Sequence, residues 1–136
     1  MSTAMARVYY AHSLQIYGTE EAARAKHAIR VLLPDHEIFD PEEVNWKQLA
    51  AQHGQERIYE SVIRFCTRVV VYEHQGFVGR GVAEEIWRAQ HHKRPIHALR
   101  GLDATPSTPS TPVLIPVRGL VRANGDWKIR YAKLLV

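Results

Sequence analysis

The chain has 136 residues, 46% hydrophobic and 24% charged, an ordinary composition for one globular domain and neither a disordered nor a fibrous one. No apolar run approaches the ~20 residues of a membrane span, and residues 1–6 carry no apolar core of a secretion signal, so the expected setting is the cytoplasm. Cys66 stands alone, which excludes an intrachain disulfide and any zinc site built from several cysteines.

In chain order, Arg7-Val-Tyr-Tyr-Ala-His12 is a β-branched and aromatic run that predicts a buried strand. Tyr17-Gly18-Thr19 breaks it. Thr19 can cap a helix whose first turn holds Glu20 and Glu21, and Pro34 stops that helix after Leu33. His36–Asp40 reads as a second strand ended by Pro41, and Glu42–His53 as a mostly polar helix before Gly54. Ile58, Val62, Ile63, Phe65 and Cys66 keep helical spacing. Thr67–Glu73, with Val69, Val70 and Val71, predicts a strand covered on both faces, as in a parallel sheet. His74–Gly81 is a loop with Gly76, Gly79 and Gly81, followed by a helix from Val82 to about His92 and a strand over Arg94–Leu99.

Residues 103–112 contain three Thr-Pro steps and read as an extended linker. They separate an α/β domain at 1–102 from an extension of it at 113–136, where Asn124-Gly125 between two strand-like runs predicts a β-hairpin. Residues 1–112 carry 13 basic and 13 acidic groups, whereas 113–136 carry Arg118, Arg122, Lys128, Arg130 and Lys133 against Asp126. The basic excess therefore belongs to the hairpin. Five charges guarding a sheet edge do not make a nucleic-acid footprint by themselves. The alternation of strands and helices predicts an α/β fold with a central parallel sheet of about four to five strands, flanked by helices, and a C-terminal hairpin.

Ligands of such sheets bind at the carboxyl ends of the strands, here His12–Ser13, Asp40–Pro41, Glu73–Gly81 and the residues after Leu99. Glu84 and Glu85 open the helix after the glycine loop and point about 100° apart, so one of them can aim into a cleft. With Ile86 and Ala89 facing the sheet, Glu85 projects over the strand ends as a nucleophile or a stabiliser of positive charge. Tyr9 and Tyr10 point to opposite faces of their strand. Ser13 and the Gly18-Thr19 turn precede a helix N-terminus, where a phosphate binds readily. The turn has neither P-loop nor G-x-G-x-x-G spacing. Asp40 is a turn residue or a ligand for a sugar hydroxyl. His91 and His92 do not share a helix face and are rejected as a metal pair. Cys66 reads as a small buried hydrophobe.

Val8-Tyr-Tyr-Ala11, Asp40-Pro41, Cys66-Thr67-Arg-Val-Val-Val71, Gly79-Arg-Gly-Val-Ala-Glu-Glu85-Ile-Trp-Arg-Ala89 and Lys93-Arg-Pro-Ile96 together resemble the nucleoside 2-deoxyribosyltransferase-like superfamily over residues 7–99. The resemblance implies a flavodoxin-like or Rossmann-like fold and cleavage or exchange of an N-glycosidic bond. It makes Glu85 the residue that attacks C1′ or stabilises the oxocarbenium-like species, Tyr9 the residue that positions it, and Gly79 and Gly81 the wall of the sugar pocket. The sequence departs from the family pattern where transferases carry aspartates, at Gly79, Tyr59 and Thr67. His12, Asp40 and Glu84 are the residues available to substitute.

The expected function is thus an N-glycosidic-bond enzyme for a nucleoside or nucleotide. Glu85 and Tyr9 are catalytic. Tyr10, His12, Ser13, Gly18, Thr19, Asp40, Gly79 and Gly81 bind substrate, with Ser13 and Gly18-Thr19 on a 5′-phosphate or 5′-hydroxyl. No metal or other cofactor is implied. The resemblance also implies a homo-oligomer. The alternatives are a nucleotide-binding module without turnover and an interaction protein acting through the basic hairpin.

Overall fold

The computed structural model describes residues 6–54, 58–102, 111–123 and 125–131. The elements follow the order β1 (Ala6–Ala11), α1 (Glu20–Leu32), β2 (His36–Phe39), α2 (Trp46–His53), α3 (Ile58–Phe65), β3 (Arg68–Val71), α4 (Arg80–His91), β4 (Ile96–Arg100), β5 (Val113–Ala123) and β6 (Asp126–Tyr131). They build one mixed sheet in the order β2-β1-β3-β4-β5-β6, flanked by helices. The first four strands are parallel, while β5 and β6 run antiparallel to their neighbours.

This corrects the expected sheet of four to five parallel strands in two ways. The sheet has six strands, and it is mixed, because the C-terminal hairpin expected as an extension of the domain joins it antiparallel. Leu99 pairs with Leu114 and Ala98 with Ile115, which seats β5 directly on β4. Pro116, which lacks an N–H, pairs with His97 on the β4 side, and among the described residues the pairing with β6 begins at Val117. The Asn124 position of the expected turn lies outside the described residues, as do residues 103–110 of the expected linker.

Alternation along β1 explains the core. Tyr9 and Ala11 face a cluster formed with Val69, Val71, Val82, Ile86 and Ile129. Val8 and Tyr10 face the other, with Ala25, Ile29, Val70 and Leu99. Both faces of β1 and β3 are covered over residues 8–11 and 69–71, which are apolar and buried, while Arg7 and Arg68 stand half-buried at the strand starts. Ile129 from β6 is buried in the first cluster, so the hairpin is part of the domain's core.

The helix boundaries shift for identifiable reasons. The single helix expected over Glu42–His53 is two elements. Asp40 caps a short 3-10 turn over Pro41–Glu43, and the Asn45 side chain accepts from Gln48 N to start α2 afresh. Helix α4 begins at Arg80, earlier than expected, with Gly79 at its cap, so Gly81 lies in the first helical turn. The loop between β3 and α4 is a tight turn in which His74 and Phe77 exchange backbone hydrogen bonds across Gln75 and Gly76, both at positive φ.

Candidate functional site

A cleft of about 430 Å³ opens at the carboxyl ends of the strands, between the end of β1, the turn after β2 and the start of α4. Its size falls within the roughly 300–1,000 Å³ of ligand pockets. Parallel order 2-1-3 places it where the connections from β1 and β3 diverge to opposite sides of the sheet, the usual crevice of open α/β sheets.

Of the residues singled out in the sequence, Tyr9, His12, Ser13, Gly79, Gly81 and Glu85 line this cleft, and Glu84 lines it too. Glu85 is buried on the sheet-facing side of α4, next to the 0%-exposed Ile86 and Ala89. Burial pushes its carboxyl up to about 8. The neighbouring Tyr9 hydroxyl pulls the other way and the Glu84 charge adds to the rise. Tyr9 is held well above its ordinary value by burial first and by the Glu85 charge second. Neither Tyr9 Oη nor Glu85 Oε2 has a hydrogen-bond partner of standard geometry among the described residues. Both side chains line the cleft, with these two atoms buried in its wall.

The other nominated residues stand elsewhere. Tyr10 points to the opposite face, where its hydroxyl donates to Ala22 O at 2.9 Å. Thr19 is spent as the cap of α1, accepting from Ala22 N at 3.2 Å and donating to Ile16 O at 2.5 Å. The Gly18 N–H donates to the Glu42 carboxylate. The Gly18-Thr19 turn is outside the cleft, and the groups a phosphate would use there already have partners. Ser13 remains at the cleft wall, its hydroxyl accepting from Gln15 N at 3.2 Å. Asp40 lies behind Pro41, with Lys26 Nζ 3.0 Å from its carboxylate. Cys66 is buried, and burial pushes its thiol up to about 12, which leaves it inert as a nucleophile.

Among the lining residues that sequence reasoning missed are Trp46, Arg80 and Arg88. Arg88 follows Glu85 by three positions and Glu84 by four, a spacing that places it on their helix face and was available as a signal. Trp46 is anchored by its indole N–H donating to Pro41 O at 3.1 Å. Its only signal was an aromatic residue in a polar stretch. Tyr59 lies in α3, its side chain outside what the structure describes, and Thr67 is used structurally, donating to Arg7 O at 2.8 Å. Compared with known proteins, the chain matches no family model and no curated protein.

Proposed function

We propose that the protein cleaves or exchanges the N-glycosidic bond of a nucleoside or nucleotide, the activity implied by the sequence resemblance. One observation carries the reading: the buried Glu85 carboxyl at the cleft, with an unpartnered oxygen and the Tyr9 hydroxyl beside it. In its ionised form Glu85 attacks C1′ of the sugar. The O–C1′ bond forms as the C1′–N bond breaks, and the base leaves with the electron pair. The departing base takes up its proton from solvent at the open cleft. Water or a second base then displaces the sugar and returns the carboxylate. Arg80 and Arg88 give the cleft the positive charge that a 5′-phosphate needs.

With its carboxyl pushed up to about 8, Glu85 is mainly protonated at neutral pH. Turnover should therefore rise with pH and level off above about 8. The test is chromatographic. Protein is incubated with nucleosides and 5′-monophosphates, with and without a second free base. Released or exchanged base that disappears in Glu85→Gln supports the reading, and no base from any substrate refutes it. The homo-oligomer implied by the resemblance belongs to the same proposal, and light scattering would report it as a mass above 15.6 kDa.

A second reading has its own observation. A neutral carboxyl beside an unpartnered hydroxyl is also a hydrogen-bonding pair suited to holding a base or sugar without turnover. A nucleotide that raises Tm while no base is released would favour it.

A further inference from the structure

The end of β1 and the turn after β2 bring together three side chains that neither the activity nor the resemblance uses as a set. One ligand atom each from His12, Asp40 and Glu42 lies within 4.8 Å of the other two. His12 Nδ1 stands 3.1 Å from the Tyr10 carbonyl oxygen. A carbonyl only accepts, so Nδ1 carries a proton, and in the neutral ring Nε2 holds the lone pair. That lone pair is aimed at carboxylates, with Nε2 at 3.5 Å from Glu42 Oε2 and 3.8 Å from Asp40 Oδ1. The His12 side chain is 0% exposed and Nε2 has no hydrogen-bond partner among the described residues. Its ring is fixed by stacking on Tyr10 at 3.9 Å and by the Tyr17 ring at 4.8 Å.

A buried lone pair facing two carboxylates is repulsive unless a positive species lies between them. The separations exceed a hydrogen bond and approach the roughly 3.3–3.4 Å between ligands that share a tetrahedral ion at ~2.0–2.1 Å. A ligating histidine usually donates its other N–H to a backbone carbonyl, as His12 does. Charge agrees. Asp40, Glu42 and Glu43 contribute three negative charges and Lys26, paired with Asp40 and Glu43, offsets one. The two that remain match a divalent cation.

We infer that His12, Asp40 and Glu42 form a binding site for a divalent transition-metal ion such as Zn(II) or Mn(II). The imidazole favours these over Ca(II) and Mg(II), which prefer oxygen ligands alone. The ion clamps the turn after β2 to the end of β1 and so stiffens the cleft wall that carries Pro41 and His12. This replaces the expectation that the chain holds no metal. With Nε2 on the ion, His12 is withdrawn as a proton donor to the base. The site shares no residue with Glu85 and Tyr9, so either proposal can fail alone.

The test uses the untagged full chain, dialysed against a chelator and titrated calorimetrically with Zn(II) and with Mn(II). The expected result is one ion bound per chain, a higher Tm at saturation, and binding weakened by about tenfold or more in Glu42→Gln and His12→Gln. If His12→Gln fails to fold, Glu42→Gln decides, because that side chain is 21% exposed and tolerates change. His91→Ala should leave binding unchanged, which separates the site from adventitious capture by the His91–His92 pair. No binding of either ion by the folded protein, or equal binding in Glu42→Gln, overturns the inference. So does a nitrogen NMR spectrum in which His12 carries protons on both ring nitrogens while the ion is present in excess.

Discussion

Glu85 binds its proton more tightly in the folded chain, near pH 8, than at its ordinary value of 4.5. Between those values the folded state holds more protons than the unfolded one, so stability falls as pH rises through that window. The contribution is complete below about 4.5 and gone above about 8, with a ceiling of roughly 5 kcal/mol. Glu85→Gln removes the titration, and thermal melts from pH 5 to 9 should show a flatter curve for the variant than for the parent. Equal slopes would mean that Glu85 does not titrate from a buried site. Tyr9→Phe deletes the one neighbour that lowers the Glu85 value. The Glu85 carboxyl resonance, followed by carbon NMR, should then titrate at still higher pH. Gly81 separates folding from binding. Its φ is ordinary, and a Cβ there would meet nothing within 4 Å. Gly81→Ala in a helical turn should raise stability by about 0.5–1 kcal/mol. Because position 81 lines the cleft, KM should rise in the same variant.

Helix α1 shows how an element can mislead about a site. Thr19 precedes a helix with two glutamates in its first turn, a pattern that suggests both a cap and a phosphate cradle. The cap is what forms. Thr19→Ala should cost about 1 kcal/mol by denaturant unfolding and leave kcat/KM unchanged. The strands were legible because their chemistry is local. Val69, Val70 and Val71 announce a doubly covered strand, and Pro34 and Pro41 mark where helix and strand stop. Position Glu85 was legible because helical spacing ties it to Ile86 and Ala89. The set of His12, Asp40 and Glu42 was not, since it depends on which strands are neighbours. The register Tyr9↔Phe39 aligns the ends of β1 and β2 across thirty residues, and nothing in either segment states that pairing. The opposite faces of Tyr9 and Tyr10 followed from strand alternation, but only the packing against α1 decides which one meets the cleft.

At the scale of the molecule, composition hid the role of the C-terminal residues. The sequence marks 113–136 as an extension of the domain without saying where it packs, and the structure uses it to lengthen the sheet and cover the core. Val78 N donates to Trp127 O at 2.9 Å, Gln90 Nε2 to Arg118 O at 3.2 Å, and Trp127 meets Trp87 edge to face at 4.9 Å. Tyr131 and Arg100 both reach Glu73 at the end of β3. Residues on each side of the Thr-Pro segment also meet. Gly101 is at φ +85, and a Cβ there would fall 2.3 Å from the Thr111 carbonyl oxygen, so backbone touches backbone at both ends of 102–110. That segment therefore spans almost no distance, and the covalent link through it contributes mainly the entropy of closing a short loop. The protein should therefore be divisible at this point. Pieces 1–106 and 107–136, made separately, should reassemble along the β4–β5 seam, with circular dichroism of the mixture returning to that of the whole chain. Failure to reassemble would mean that closure of the loop, not the seam, holds β5 and β6 in place. A successful pair would be a two-part reporter whose signal is the rebuilding of its own sheet.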